Sequence, residues 1–255
     1  TYLSRDRMQH QNSENSNKGL NAASRARKLA TIRSFFNYLC NKVHLLEENP
    51  CKDIDSPKQM KSLPRYLTLQ DSLSLLESID GKHKERDFCI ITLFLNCGLR
   101  ISELIGLNLS DIQDDAMRVL GKGNKVRVVY LNDACKDALS RYLKVRHPIS
   151  GKDRDALSLS ERDQRISRAM VHSLVKKHLS AAGLDSTQYS SHKLRHTAAT
   201  LMLQNGVDVK AVQEVLGHEH LNTTEIYTHI DNESLRVAAK ANPLSHVKMK
   251  GKIED

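Results

Sequence analysis

Apolar residues recur at intervals of three and four along most of the chain, which is the period of an amphipathic helix. Near the N-terminus, Asn21 can cap a long helix that carries an inward apolar stripe. The stripe is formed by Leu29, Ile32, Phe36 and Leu39. The first region of the chain is therefore predicted to be helical.

A proline-containing stretch follows this helix. Residues 50–65 hold three prolines and few large apolar side chains, a composition that is typical of linkers. We therefore predict a domain boundary here, with a small helical domain over residues 1–60 and a larger domain over residues 61–255.

The second region combines several helical patterns with one clear strand pattern. Helices are predicted over residues 69–79, 86–99, 133–145, 166–179 and 232–240. Two Val-rich runs within residues 117–131 flank a Gly-Lys-Gly-Asn-Lys turn, which predicts a β-hairpin, and residues 156–159 are predicted to form another short strand. The predicted fold class is mainly α with a small β-hairpin or sheet.

Three short helices are predicted between residues 190 and 229. The first begins at two serines that can cap it and ends at an Asn-Gly pair. His192 and Arg195 lie three positions apart on this helix and therefore share a face.

The second of these helices is predicted to begin at Asp208, which can cap it, and to end at Gly217. Its buried side is predicted to be Val209, Val212 and Leu216. His218 would then stand at a sharp helix exit, and a capping-box pattern opens a third helix that carries Tyr227.

The ordered set His-x-x-Arg, Gly-His and Tyr resembles the C-terminal motif of tyrosine recombinases, the family of phage-type integrases, Xer-type resolvases and conjugative-element integrases. A second match is Gly-Leu-Arg-x-x-Glu, which makes Arg100 the family's first catalytic arginine, while Glu103 can orient a catalytic cation. The family places its catalytic lysine on the hairpin, which implies Lys122, with Lys125 as the competing position. The resemblance also implies a two-domain architecture, in which an N-terminally truncated, partial helical core-binding domain precedes an α+β catalytic domain.

The chemistry of a DNA phosphodiester gives each of these residues a role. Two guanidiniums match the non-bridging oxygens of a phosphate, and the resemblance implies this role for Arg100 and Arg195, with His218 adding a donor. Tyr227 would attack the phosphorus atom and form a covalent phosphotyrosine, and the resemblance implies that the link is to the DNA 3′ end.

Two proton transfers complete the expected reaction. His192 is the candidate base for the phenol, and Lys122 is the candidate acid for the leaving 5′-oxygen. Because the bond energy is kept in the covalent link, no metal, ATP or other cofactor is expected.

The formal net charge of +9 favours a polyanionic partner, and the motif makes double-stranded DNA the expected one. The candidate DNA-contacting side chains are Arg25, Arg27, Lys28, Arg33, Arg165 and Arg168. Arg165 and Arg168 are expected to lie along one helix face with His172. For all of these cations, the alternative is a solvated helix face that contacts nothing.

The resemblance implies a tetramer that holds two DNA sites, with a C-terminal helix at 232–242 reaching into a neighbouring subunit. Five cysteines without a Cys-x-x-Cys pair indicate reduced thiols, and no apolar run is long enough to span a bilayer, so a cytoplasmic protein is expected. The residues leave open whether the DNA site belongs to a chromosome or to a mobile genetic element that integrates or transposes.

Three other classes of protein are alternatives to the recombinase. A metal-dependent nuclease could use His218, Glu219, His220 and His229, but the usual zinc-ligand spacings are absent. A DNA-binding protein without catalytic activity would not be expected to hold all six residues. Type IB topoisomerases share the chemistry, but the short catalytic region favours a recombinase.

Overall fold

The computed structural model describes residues 20–58, 65–217 and 232–249. The chain divides into two compact units, Thr1–Pro64 and Arg65–Asp255. In these described ranges, no helix has both the length and the apolar character needed to cross a bilayer.

The smaller unit is built on α1 (Ala22–Asn41), which begins at the predicted cap. The Asn21 Oδ1 atom accepts a hydrogen bond from the Ser24 amide at 2.7 Å. Leu29 is the one fully buried member of the predicted stripe, and the other three residues are half-buried.

The larger unit is centred on α3 (Lys84–Cys97), in which every residue from 86 to 97 is buried. It packs against α5 (Asp133–Val145) and α7 (Ser191–Gln204). A helix that is apolar on all sides belongs in an interior. Each large apolar side chain that it buries contributes about 1.5–3 kcal/mol.

Two further helices flank this core, and both begin at a side-chain cap. α2 (Leu69–Glu77) starts at Thr68, which forms a reciprocal capping box with Asp71, and it ends two residues earlier than predicted. α6 (Arg168–Ala181) starts at Ser167, whose hydroxyl accepts from the Met170 amide. The prediction that Arg165 lies on this helix is therefore wrong, because the serine cap fixes the helix start after it.

The predicted hairpin forms a three-stranded antiparallel sheet with an additional short strand, β1 (Ile112–Gln113). β2 (Ala116–Leu120) pairs with β3 (Val126–Tyr130) over five residue pairs. The strand predicted over 156–159 is wrong. Ala156 and Leu159 each make one isolated bridge, to Asn108 and to Arg165, and two different partners cannot build a ladder.

α8 (Val209–Leu216) is capped by Asp208, which accepts hydrogen bonds from two amides of the first turn. Val209 was predicted to be buried but is 56% exposed, because it is the first helical residue and points away from the core. The buried side of this helix is formed by Ala211, Val212, Val215 and Leu216.

α9 (Asn232–Lys240) has the predicted bounds and packs against α8 and β3 of its own chain. Ala238 is buried in a cluster with Met202 and Val212. The Asn132 Nδ2 atom donates to the Ala239 carbonyl, and the Asn205 side chain donates to the Ala241 carbonyl. The C-terminal helix is thus docked on the subunit to which it belongs.

All five cysteines are free thiols, and all but Cys40 are buried. The sulfur atoms of Cys97 and Cys135 lie 3.6 Å apart without a covalent bond. Burial raises the pKa of the Cys89 thiol far above its usual value. The Cys89 thiol is therefore protonated at neutral pH.

Candidate active site

The site is organised around Glu103, which lies on α4 (Ile101–Gly106) with only 2% of its side chain exposed. Gly98 ends α3 in the left-handed conformation, at φ +57°, and this turn brings Arg100 to the start of α4. Glu103 Oε2 accepts from the Arg100 amide at 2.7 Å, and Glu103 Oε1 accepts from Arg100 Nη1 at 2.8 Å. The three-residue spacing thus pairs the two side chains locally.

A second arginine comes to the same carboxylate from β3. Arg127 Nη1 donates to Glu103 Oε1 at 2.8 Å, and Arg127 Nη2 donates to Glu103 Oε2 at 3.0 Å. Such a bidentate pair is the geometry in which a guanidinium and a carboxylate bind most strongly. Burial alone would raise the pKa of Glu103, but the bonds and charges of Arg127 and Arg100 outweigh it and hold that pKa below its usual range.

The third arginine, Arg195, comes from α7 and is 5% exposed. Its Nη1 atom donates to the Gly98 carbonyl at 2.5 Å, and its Nη2 atom donates to the Leu216 carbonyl at 2.7 Å. The same Nη1 atom lies 3.8 Å from Glu103 Oε2. Burial, with the positive charge of Arg100, lowers the pKa of Arg195 to about 10, so this side chain stays protonated at neutral pH.

These four side chains form a cluster with an excess of positive charge, since three guanidiniums surround one carboxylate. Unit charges about 4 Å apart interact by about 4 kcal/mol at an effective dielectric constant of about 20, so the excess favours binding of an anion. The Arg100 side chain is 37% exposed, against 16% for Arg127 and 6% for Arg195. An anion from solvent therefore reaches Arg100 first.

Arg100 and Arg195, which are far apart in sequence, both lie against Glu103. Arg100 Nη2 also donates to the carbonyl of Gly217 at 3.1 Å. Gly217 ends α8 in the left-handed conformation and directly precedes His218. His218 and Tyr227 themselves lie outside the described residues, as does the predicted helix that opens at Asn222.

The remaining predicted catalytic residues lie on α7 and on the hairpin. His192 is exposed on α7, one turn before Arg195, and its ring meets that of His196 edge to face at 4.7 Å. Burial and the neighbouring His192 lower the pKa of His196. Lys122 begins the short turn Lys122–Asn124 between β2 and β3.

The predicted DNA-contacting residues differ in their exposure and in their contacts within the protein. Arg27, Lys28 and Arg168 are exposed. Arg33 instead donates to the Cys51 and Ile54 carbonyls and to the Ser56 hydroxyl of its own unit. Arg165 likewise donates to the Ile105 and Leu107 carbonyls and to Asn108. Both arginines thus have a structural role, and their contact with DNA remains a prediction, as does that of half-buried Arg25.

Arg127 is the member of the cluster that the sequence reasoning missed. In β3 it alternates with Val126 and Val128, which are exposed, and shares its side of the strand with buried Val129. A charged residue at an inward strand position requires a buried partner of opposite charge. That alternation was the available signal, and only the fold could identify the partner as Glu103.

Among the described residues, no group of three His, Cys, Asp or Glu side chains is placed to hold a metal ion. The four residues of the nuclease alternative, 218–220 and 229, lie outside them.

Among known proteins, residues 65–234 match the phage integrase family. The tyrosine recombinase XerC of Caldanaerobacter subterraneus subsp. tengcongensis is 56% identical over 223 residues, which cover 87% of this chain and 63% of that protein. The XerC of Thermodesulfovibrio yellowstonii is 40% identical over 238 residues, covering 89% and 78%. A structure of the XerH site-specific recombinase in a post-cleavage complex with a palindromic difH substrate is similar, with a TM-score of 0.67, 27% identity, and coverage of 87% and 67%.

Proposed function

The chain belongs to the phage integrase family, and from this premise we propose that it is a site-specific recombinase that cleaves and rejoins double-stranded DNA through a 3′-phosphotyrosine. One observation carries the proposal. Arg100 and Arg195 converge from separate helices on Glu103, and with Arg127 they leave an excess of positive charge at a partly open site. A scissile phosphate supplies the missing negative charge.

In the proposed reaction, Arg100 and Arg195 bind the non-bridging oxygens and stabilise the charge that grows on them. The phenolic oxygen of Tyr227 attacks the phosphorus atom, and its proton passes to His192. The bond from phosphorus to the 5′-oxygen breaks, and Lys122 protonates that oxygen. Attack by a 5′-hydroxyl of another strand reverses these steps and releases the tyrosine.

We assign the Arg65–Asp255 unit as the catalytic domain and the Thr1–Pro64 unit as part of a core-binding domain. Two facts support this division. The cluster lies wholly within the larger unit, and the family match also begins at residue 65. Exposed Arg27 and Lys28 on α1 give the smaller unit cations for the phosphate backbone.

We also propose that the active form is a tetramer on two DNA sites, with the C-terminal helix exchanged between subunits. The docked position of α9 on its own chain makes this proposal more specific. Exchange requires the helix to leave the groove formed by α8 and β3 and a second copy to fill the same groove, as in domain swapping.

The two XerC relatives described above are 56% and 40% identical, which favours action at a fixed recombination site of the Xer type. A role in a mobile element, by integration or transposition, is the second possibility. Sequencing the duplex that the protein captures covalently from fragmented DNA would distinguish them.

The proposal is tested with a nicked suicide duplex, on which a tyrosine recombinase accumulates as an SDS-resistant complex. Wild type and Tyr130→Phe should form the complex, whereas Tyr227→Phe should bind the duplex and form none. Tyr130 is a suitable control because its ring packs under Arg236, at 4.7 Å, so the phenylalanine keeps that contact.

Repeating the assay in excess EDTA separates the recombinase from the nuclease. The recombinase should keep its full yield, because arginines supply the positive charge. Loss of activity that added zinc or magnesium restores would favour the nuclease. Binding without any covalent complex would favour a silent DNA-binding protein.

A further inference from the structure

Arg127 uses its guanidinium within the protein. Its Nη1 and Nη2 atoms bind the two oxygens of Glu103, and its Nε atom donates to the Val215 carbonyl at 3.3 Å. All three nitrogen atoms therefore have acceptors on α4 and at the end of α8. With 16% of its side chain exposed, Arg127 is poorly placed to contact DNA directly.

The side chain of Arg127 also lies beneath two glycine turns. A Cβ atom on Gly217 would stand 2.9 Å from Arg127 Cδ, and one on Gly121 would stand 3.9 Å from Arg127 Nη1. Gly121 directly precedes Lys122, and Gly217 directly precedes His218. One arginine thus supports the backbone before two of the proposed catalytic residues.

Near its turn, the hairpin has few inward-facing side chains on β3 that could hold it against the rest of the domain. Val126 and Val128 of β3 face outward and are 62% and 46% exposed. Arg127 faces inward, opposite buried Val119 of β2. On the inner side of β3, Val129 lies two residues further from the turn, so Arg127 is the inward side chain that joins the turn end of this strand to the cluster.

We infer that Arg127 is a positioning residue, which fixes the hairpin turn over the Glu103 cluster so that Lys122 reaches the leaving 5′-oxygen. The inference rests on the proposed recombinase function. The proposed positioning role of Arg127 differs from two simpler roles. A phosphate-binding arginine would contribute to DNA affinity, and a merely stabilising arginine would change only the fraction of folded protein.

The experiment compares Arg127→Gln and Arg127→Lys with Arg118→Gln. Arg118 is a matched control, because it lies on β2 of the same hairpin but is exposed and makes one long bond, 3.3 Å, to the Ser110 carbonyl. Each variant is assayed for DNA affinity and for the rate of covalent complex formation at saturating DNA. The rate is measured on ordinary DNA and on DNA with a 5′-bridging phosphorothiolate, whose sulfur leaves without a proton.

Arg127→Gln should slow covalent complex formation on ordinary DNA by about tenfold or more, since a well-placed general acid contributes about 100-fold or more. Its DNA affinity should stay within about threefold of wild type, since the Arg127 guanidinium is occupied by Glu103 and the Val215 carbonyl and is not expected to contact the DNA phosphates that set affinity. The phosphorothiolate should recover most of the lost rate. Arg127→Lys, which keeps one cation near Glu103, should be intermediate, and Arg118→Gln should match wild type.

Three results would overturn the inference: an equal loss on both substrates, a loss that appears in DNA affinity, or rates that match the Arg118→Gln control. Thermal unfolding shows whether each variant is folded at the assay temperature, and Arg127→Lys carries the test if Arg127→Gln is not. Absence of a covalent complex with wild type on either substrate would refute the proposed function itself, which keeps the two failures distinct.

Discussion

Glu103→Gln is the most direct test of the charge cluster, because it keeps the shape of the side chain and removes the negative charge that three arginines share. Arg127 and Arg195 would remain as buried cations without their partner. Removing one member of a buried ion pair costs about 3–5 kcal/mol. Loss of the Arg100–Glu103 ion pair adds little to this cost, because Arg100 is partly exposed and solvent screens its charge.

This cost corresponds to a measurable fall in melting temperature. A domain of this size loses about 2–4 °C per kcal/mol, so the larger unit should melt roughly 6–20 °C lower in Glu103→Gln. Asp137→Asn is the control, because Asp137 is 22% exposed, against 2% for Glu103, and makes a 2.8 Å ion pair with Arg141 one helical turn away. Such pairs contribute about 0.3–0.5 kcal/mol. Scanning calorimetry of the three proteins at pH 7 provides the comparison.

The direction in which pH changes this difference in melting temperature can also be predicted. The pKa of Glu103 is held below its usual range in the folded protein, so its contribution to stability is present above the unfolded value. That contribution is lost as the pH falls through the folded value. The difference in melting temperature between wild type and Glu103→Gln should therefore be constant near neutral pH and shrink in acid. A destabilisation of only about 1 kcal/mol would already lower the melting temperature by about 2 °C or more. A smaller difference between wild type and Glu103→Gln at pH 7 would therefore refute the account of the cluster.

The remaining predictions use the same unfolding and DNA assays. Gly98→Ala should destabilise the protein more than Gly206→Ala in thermal unfolding, because both have positive φ but only the first Cβ would clash with a side chain, that of Leu216; equal effects would contradict this. Lys122→Ala should lose cleavage of ordinary DNA and regain it on the 5′-phosphorothiolate, and rescue of Lys125→Ala instead would move the acid to that residue. Deleting residues 235–255 should leave gel-shift binding of one site intact and weaken pairing of two sites, whereas full-rate recombination by the truncated protein would refute helix exchange.

The elements that the sequence predicted well are those whose signals are local. The cap at Asn21 is read from residues within one turn, and the bounds of α5 and α9 match those predicted from the pattern of neighbouring residues. The pairing of Glu103 with Arg100 is also local, since a spacing of three allows both backbone and side-chain bonds. Such features do not depend on the rest of the fold.

The features that the sequence did not predict depend on residues far apart in the chain. Arg127 meets Glu103 across 24 positions, and Arg165 meets the Ile105 carbonyl across 60. A basic residue looks the same in sequence whether it faces phosphate, solvent or a buried carbonyl. Arg33 and Arg165 were assigned to DNA for that reason, and the structure shows that both also hold loops of their own units.

The arginine cluster is assembled largely on the carboxyl ends of two helices. Arg195 binds the carbonyls of Gly98 and Leu216, at the ends of α3 and α8, and Arg100 binds the carbonyl of Gly217. The last carbonyls of a helix lack partners within it and carry partial negative charge. They can therefore hold guanidiniums in place before any phosphate arrives. Because the donors are already oriented, binding of a phosphate requires little rearrangement, which is the condition under which such donors stabilise a transition state most.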